Sequence, residues 1–276
     1  SALFFLIESL LRIIYEAIFG GDARADYGVG YNAQFIDESE LLSASHTGFC
    51  INGEKSLSRE VSYKNFLISA TTGSGKSTVT IIPSILKINN SSLVVHDPSS
   101  ELFNYTSQTK ISQGYKVYIL NFGNPTVSAG YNPLFYAKNI NDINKIANAL
   151  VRGSVKTTSD DFWNIQAVSI ISIMISILKT QPTEYVNLFN VRYLISILGS
   201  EPDKVDKLFA KYASPILLTE YKNLISYDSK VLASIIASAQ ASLQLFVDEQ
   251  VSRITSIHQI DFEKIRKEKS IIYIQN

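Results

Sequence analysis

The sequence has few of the residues that bind metals or form cross-links. There is one cysteine, Cys50, and there are three histidines in 276 residues. A single cysteine closes no disulfide within the chain, and no Cys/His cluster has zinc spacing. That poverty fits a reducing, cytosolic compartment. Net charge is missing too, because 25 basic residues balance 25 acidic ones. A uniformly basic coat for nucleic acid is therefore excluded, although a local basic lining is not. Met174 is the one methionine and position 1 is Ser. Together with a C-terminal strand that nothing follows, this predicts a piece cut from a longer protein, Ser1-Ala2 being a cleavage scar.

A clean membrane-length apolar run is also absent. Ala2 to Phe19 is strongly apolar but holds Glu8, Arg12 and Glu16. A spanning helix tolerates mid-span charge poorly, and charges four apart share one helix face. The segment reads as an amphipathic helix, either packed on the domain or forming a membrane-proximal stalk.

What is present is apolar: 46% of the residues, against 18% charged, which is enough for a sizeable core. Asn52-Gly53 after Phe49-Cys50-Ile51 is a hairpin signal. Asn65 to Ser69 reads as a short strand, Lys76 to Leu86 as a helix bent by Pro83, and Ser92 to His96 as a second strand. Glu101 to Gln113 reads as a helix ended by Gly114, and Tyr115 to Leu120 as a third strand. That alternation predicts an α/β fold with a parallel, doubly wound sheet.

From Ile140 to about Phe246 the periods are helical, over 141–152, 161–179, 186–198, 202–212 and 228–246. This predicts an inserted all-α domain, with 161–179 as its buried centre. A strand over 270–275 should rejoin the sheet. The predicted division is 1–40 as membrane-proximal helix and linker, 41–139 as the first part of a nucleotide-binding domain, 140–246 as the all-α domain, and 247–276 as the return.

The chemistry is carried by Ala70-Thr71-Thr72-Gly73-Ser74-Gly75-Lys76-Ser77-Thr78, which fits the P-loop pattern. Gly73 and Gly75 let successive backbone N–H groups converge on one centre, and the helix behind adds its positive end. Thr72 to Thr78 are the expected phosphate cradle. Lys76 is the catalytic cation at the β/γ-phosphates, and Ser77 offers its hydroxyl to Mg²⁺. ATP and Mg²⁺ are the expected ligands.

Val94-Val95-His96-Asp97 ends a strand in a carboxylate. Asp97 is a candidate magnesium group, and a strand-end cap before Pro98 is the structural alternative. Val247-Asp248-Glu249 is the nearest Asp–Glu pair, but it lies at the end of a helical stretch. His46, His96 and His258 are scattered and read as structural, Trp163 reads as core, and the basic stretch Arg253, Lys264, Arg266, Lys267 and Lys269 reads as a solvated face.

Several ordered motifs resemble the type IV secretion coupling proteins, the ATPases of conjugative DNA transfer. They are Thr72 to Ser77, Asp97-Pro98-Ser99-Ser100-Glu101-Leu102, Tyr131-Asn132-Pro133-Leu134, Phe162-Trp163, and Phe246 to Glu249 with Ile254-Thr255-Ser256 and Asp261-Phe262. Two positions depart from the family's pattern: Ser100 stands where many members have Gly, and Ser99 where many have Lys.

The resemblance implies a RecA-like P-loop core with an all-α insertion, in a homo-hexameric motor. It implies a bacterial inner-membrane protein, anchored N-terminally, with its soluble region facing the cytoplasm. The implied partners are a single-stranded DNA–relaxase complex or protein substrates, and components of the secretion channel. It further implies that the Asp–Glu pair organising the attacking water, and any arginine finger, lie past Asn276, so this chain should hydrolyse ATP negligibly. Another P-loop DNA translocase, a small phosphotransferase, or a docking module inactive as an ATPase are the alternatives.

Overall fold

The computed structural model describes residues 37–64, 67–71, 73–154 and 161–275. The helix expected over 2–19 lies outside them. The chain divides into two compact units, Ser1–Ser43 and Ala44–Asn276. In the first, a single helical turn, Glu38–Leu41, starts at Asp37, whose carboxylate accepts from the Ser39 N–H at 2.8 Å.

The second unit contains a three-stranded parallel sheet. Its strands are β1 (Leu93–His96), β2 (Lys116–Asn121) and β3 (Ser270–Gln275), in the order β1-β3-β2. The segment latest in the sequence is thus the central strand. Val94 is in register with Ile272 on one side of the ladder, and Tyr118 with Ile272 on the other. Both faces of β3 are buried, as its unbroken Ile271-Ile272-Tyr273-Ile274 run requires.

Alternation sorts that run onto two cores. Ile271 and Tyr273 join Leu93, Val95 and Val117 beneath Ile85 of α1 (Ile82–Lys87) and Leu102 of α2 (Glu101–Ser112). Ile272 and Ile274 face the other way, against Ile260, Ile265 and Tyr131. Helix α2 ends as its sequence directs. Gly114 takes φ +81°, its N–H bonds the Ile111 carbonyl, and the Tyr115 N–H reaches Lys110 O at 3.0 Å.

Six helices follow: α3 (Ile140–Ser154), α4 (Asp161–Leu178), α5 (Leu188–Ser200), α6 (Pro202–Tyr212), α7 (Pro215–Ile225) and α8 (Ser229–Ser242). Helix α4 is the expected centre of this array. Ile170, Ile171, Met174, Ile175 and Ile177 have no exposed surface, and α3, α5, α7 and α8 pack around them. Among the described residues no helix is long and apolar enough to cross a membrane.

Two helices longer than one turn fall outside the predicted segments. Pro215 occupies the first turn of α7, where its missing N–H costs nothing, behind Ser214 as N-cap. Helix α9 (Glu249–Ser256) is only two turns long and starts at Asp248.

One expected strand does not form. Leu67 to Thr71 carries no regular structure, and Leu67 is 92% exposed. An apolar run becomes a strand only when a neighbour completes its ladder, and among the described residues none pairs with it. Asn65 and Phe66 lie outside the described residues.

Candidate functional site

The loop beyond Thr71 is shaped by two glycines. Gly73 and Gly75 take φ +80° and +84°, a backbone conformation that side chains with a Cβ rarely adopt. At Gly75 there is a second constraint, since a Cβ would sit 3.3 Å from Val79 Cγ2. The Ser74 N–H and Oγ–H both bond the Thr71 carbonyl, at 3.3 and 2.7 Å, closing the turn.

The helix that follows opens irregularly. Lys76–Ile81 is wound as a π-helix, with the Ile82 N–H reaching Ser77 O, and continues as α1 from Ile82. Pro83 lies in the first turn of α1 and can donate no bond to the preceding turn. The expected bend is thus taken up as a change of winding. No side chain caps the helix at Gly75, and the Val79 N–H bonds the Gly75 carbonyl at 2.8 Å.

Gly73, Gly75, Lys76, Ser77 and Thr78 line an open concavity of about 440 Å³. Lys76 Nζ is folded back onto its own loop and donates to Ala70 O at 2.7 Å and Thr71 O at 2.8 Å. Two main-chain carbonyls thus hold the ammonium at the loop. Thr72 lies outside the described residues.

The loop is braced from behind by the hairpin at Asn52-Gly53. Phe49 O accepts from the Leu57 N–H at 2.8 Å, Gly53 takes φ +84°, and Asn52 Oδ1 accepts from Lys55 N at 2.8 Å. Thr80 and Ser84 fasten the helix to this hairpin. Thr80 Oγ1 donates to Ile51 O, and Ser84 Oγ accepts from Cys50 N, each at 2.8 Å.

Asp97 is placed elsewhere. It is buried, with 1% exposure, at the end of β1. Oδ1 accepts from Leu102 N at 3.1 Å and Oδ2 from Phe103 N at 2.8 Å, so both oxygens are bonded to the first turn of α2. It does not line the loop concavity. Between them, Ser100 takes φ 61°. Asp248 is a helix cap as well, its Oδ1 accepting from Gln250 N and Val251 N. Among the described residues no cluster of three His, Cys, Asp or Glu could hold a metal ion.

The other singled-out residues lie outside the lining of the loop concavity. His46 Nδ1 lies 3.1 Å from Ser56 O, and His96 is exposed at the end of β1. His258 stacks on Phe135 with centroids 3.8 Å apart, and burial holds its pKa below the usual imidazole range. Trp163 packs on the helical core. Arg253, Lys264, Arg266, Lys267 and Lys269 are exposed.

Sequence reasoning missed what the Tyr131-Asn132-Pro133-Leu134 turn does. Asn132 caps the 3-10 turn Pro133–Tyr136 through Leu134 N, and its Nδ2 donates to Val186 O at 2.7 Å. Leu134 is fully buried in the helical core. Tyr131 N donates to Ile254 O, and Tyr136 Oη donates to Asp261 Oδ1 at 2.7 Å. The chain segments entering and leaving the helical array are thus clamped together. The signal available in the sequence was the Asn-Pro pair, a turn initiator.

Comparison with known proteins follows the same residues. A model of the family described as type IV secretory system conjugative DNA transfer matches residues 30–275. No curated protein sequence matches. Among solved structures, the chain is similar to the unbound monoclinic form of the bacterial conjugative coupling protein TrwBdeltaN70, at 14% identity and TM-score 0.62, covering 87% of this chain and 52% of that one. It is similar at 13% identity and TM-score 0.61 to the plasmid coupling protein TrwB in complex with ADP and Mg²⁺, covering 87% and 54%. The TrwB complex with the non-hydrolysable analogue ADPNP matches at 12% identity and TM-score 0.61, covering 88% and 55%. The chain thus spans about half the length of these structures. The likeness establishes the α/β, RecA-like fold with its helical insertion.

Proposed function

Because the chain belongs to the type IV secretory system conjugative DNA-transfer family, we propose that it binds ATP with Mg²⁺ at Ala70 to Thr78. In the whole protein, turnover there moves relaxase-bound DNA or protein substrates to a secretion channel. The observation that carries the reading is the pair of left-handed glycines, Gly73 and Gly75, facing a concavity whose other walls are Lys76, Ser77 and Thr78. Curled backbone at a helix start presents N–H groups to phosphate oxygens, and an added Cβ at Gly75 would crowd Val79. The residues present therefore fit a nucleotide phosphate chain.

Lys76 would hold the phosphate chain with its ammonium, and Ser77 would offer its hydroxyl to the metal ion. Bound Mg²⁺ neutralises charge on the phosphates. TrwB, similar in fold, has been crystallised with ADP and Mg²⁺ and with ADPNP, which supports this ligand choice. The finer division follows the same reading: 41–139 with 247–276 as nucleotide-binding domain, 140–246 as the substrate-facing all-α domain. The whole protein acts as a hexamer at the bacterial inner membrane.

A low turnover by this chain alone belongs to the proposal. Among the described residues lining the concavity there is no carboxylate to orient an attacking water. The chain should bind nucleotide and hydrolyse it very slowly.

The test is calorimetric titration of Mg²⁺-ADPNP into the chain and its Lys76→Ala variant. A charged hydrogen bond of ~1.5–3 kcal/mol translates into a Kd raised about 10- to 100-fold. Equal affinities would remove the nucleotide reading. Lys76-dependent ATPase at an ordinary enzyme rate would remove the slow-turnover part only.

A further inference from the structure

Thr80, Ser84 and Lys87 stand at i, i+4 and i+7, one stripe along the helix that follows the phosphate loop. A helix packed on a neighbour ordinarily presents an apolar stripe to it. Here the stripe is polar, and its first two members are buried, Thr80 at 6% and Ser84 at 1% exposure.

All three side chains reach the main chain of the hairpin. Thr80 Oγ1 donates to Ile51 O at 2.8 Å, and Lys87 Nζ donates to Glu54 O at 2.6 Å. Ser84 Oγ accepts from the Cys50 N–H at 2.8 Å, and its own proton has Thr80 O at 2.6 Å and Cys50 O at 3.1 Å as acceptors. Cys50 lies opposite Ser56 in the hairpin, whose ladder bonds run through Phe49 and Ile51. The Ser84 hydroxyl therefore meets the edge of Cys50 that points away from Ser56, as a further strand would.

Apolar contact is non-directional, whereas a satisfied buried polar network fixes one arrangement. The two buried hydroxyls also stand on either side of the change in winding. Thr80 belongs to the π-wound stretch Lys76–Ile81, and Ser84 to the α-helical turns from Ile82. A π turn closes its bonds one residue further along than an α turn, so the winding decides where Lys76 and Ser77 point.

We propose that Thr80 and Ser84 are positioning residues for nucleotide binding: they peg the helix to the hairpin so that the π turn holds Lys76 and Ser77 at the concavity. This rests on the nucleotide reading above. Neither residue lines the concavity, so both act through the winding and not by contact with the ligand.

The experiment has two arms, each run on the chain and on Ser84→Ala, Thr80→Val, Thr80→Ser and Ile85→Val. The last variant thins the same helix's packing on its sheet-facing side and leaves the pegs intact. The first arm needs no nucleotide. Amide exchange, followed by NMR, reads the bond from the Ile82 N–H to Ser77 O. Ser84→Ala and Thr80→Val should speed exchange at Ile82 about ten-fold, the equivalent of one hydrogen bond. Thr80→Ser, which keeps the hydroxyl, and Ile85→Val should leave it within about two-fold. The second arm is calorimetric titration with ADPNP, with Mg²⁺ and with EDTA. Ser84→Ala and Thr80→Val should raise the Mg²⁺-ADPNP Kd about ten-fold at unchanged stoichiometry, and should shrink the gain in affinity that Mg²⁺ gives. Thr80→Ser should restore both, and Ile85→Val should alter neither. A mere loss of folded chain would lower the stoichiometry and spare the Kd. The proposal is overturned if Ile82 exchange stays unchanged in Ser84→Ala and Thr80→Val, if their Kd stays at the unsubstituted value, or if Ile85→Val weakens binding equally. Absence of ADPNP binding by the unsubstituted chain, with Ile82 responding as stated, would remove the nucleotide reading and leave the pegs as holders of the winding.

Discussion

Ser100 is a small residue in a glycine's conformation. Its φ of 61° is the left-handed region, which costs a side chain with a Cβ ~1–2 kcal/mol. The turn demands it, because the chain must reverse between Asp97 and α2 while the Asp97 carboxylate reaches amides five and six residues ahead. The conformation suits the glycine of the family pattern noted at this position, and the serine itself has no structural explanation. Replacing Ser100 by Gly relieves the strain but loosens the unfolded chain by ~0.4–1 kcal/mol. The relief exceeds the loss, so Ser100→Gly should raise unfolding free energy by about 0.5–1 kcal/mol in urea titration.

Lys110 gives a pH-dependent prediction at the same scale. It is fully buried, donates to Ile88 O and Gln113 Oε1, and lies 4.4 Å from the centroid of the Tyr115 ring. Burial, with the nearby positive Lys269, lowers its pKa from 10.5 to about 8. Unfolding restores the higher value, so between pH 8 and 10.5 the unfolded chain binds more protons. Stability contributed by this group rises with pH across that window and is flat below it. The difference in unfolding free energy between the chain and Lys110→Met should move in favour of the unsubstituted chain from pH 8 to 10.5. An unchanging difference would place the amine's pKa outside the window.

At the scale of elements, Asp97 separates two roles that a sequence cannot. A carboxylate ending an apolar strand near a P-loop suggests a metal group, whereas here its oxygens hold the start of α2. Asp97→Asn keeps one acceptor, loses the other and gives up the charge at the helix N-terminus. It should cost about 1–3 kcal/mol of stability and leave the Mg²⁺-ADPNP Kd within about two-fold. A ten-fold weaker Kd at unchanged stability would restore the metal role.

Local signals were legible where chemistry and conformation lie within a few residues of each other. Asn52-Gly53 made its hairpin, Gly114 ended α2, and the apolar periods located β1, β2, β3 and α4. Relations across space were not legible. A cap acting five residues away falls outside the usual capping offsets. The strand expected at Leu67 depends on a neighbour that a one-dimensional pattern does not contain. Pro215 means opposite things inside a helix and at its first turn. The loop glycines at 73 and 75 were readable because their spacing is itself the geometry, but the carbonyls holding Lys76 were not.

For the molecule as a whole, the strand order has the largest consequence. Strands β1 and β2 do not touch each other, and β3, some 150 residues later, joins them. Ile271, Ile272 and Tyr273 are each at most 2% exposed. At ~1.5–3 kcal/mol for each buried side chain, they supply roughly 5–9 kcal/mol, comparable to the entire stability of an ordinary domain. The helical array keeps a core of its own around α4. A chain ending at Lys269 should therefore lose its sheet and keep its bundle. In hydrogen exchange, amides of α2, β1 and β2 should exchange at nearly unfolded rates while those at the centre of α4 stay protected. If protection in α4 disappears as well, the clamp between Tyr131, Asn132 and the 254–261 segment couples the two cores into one cooperative unit.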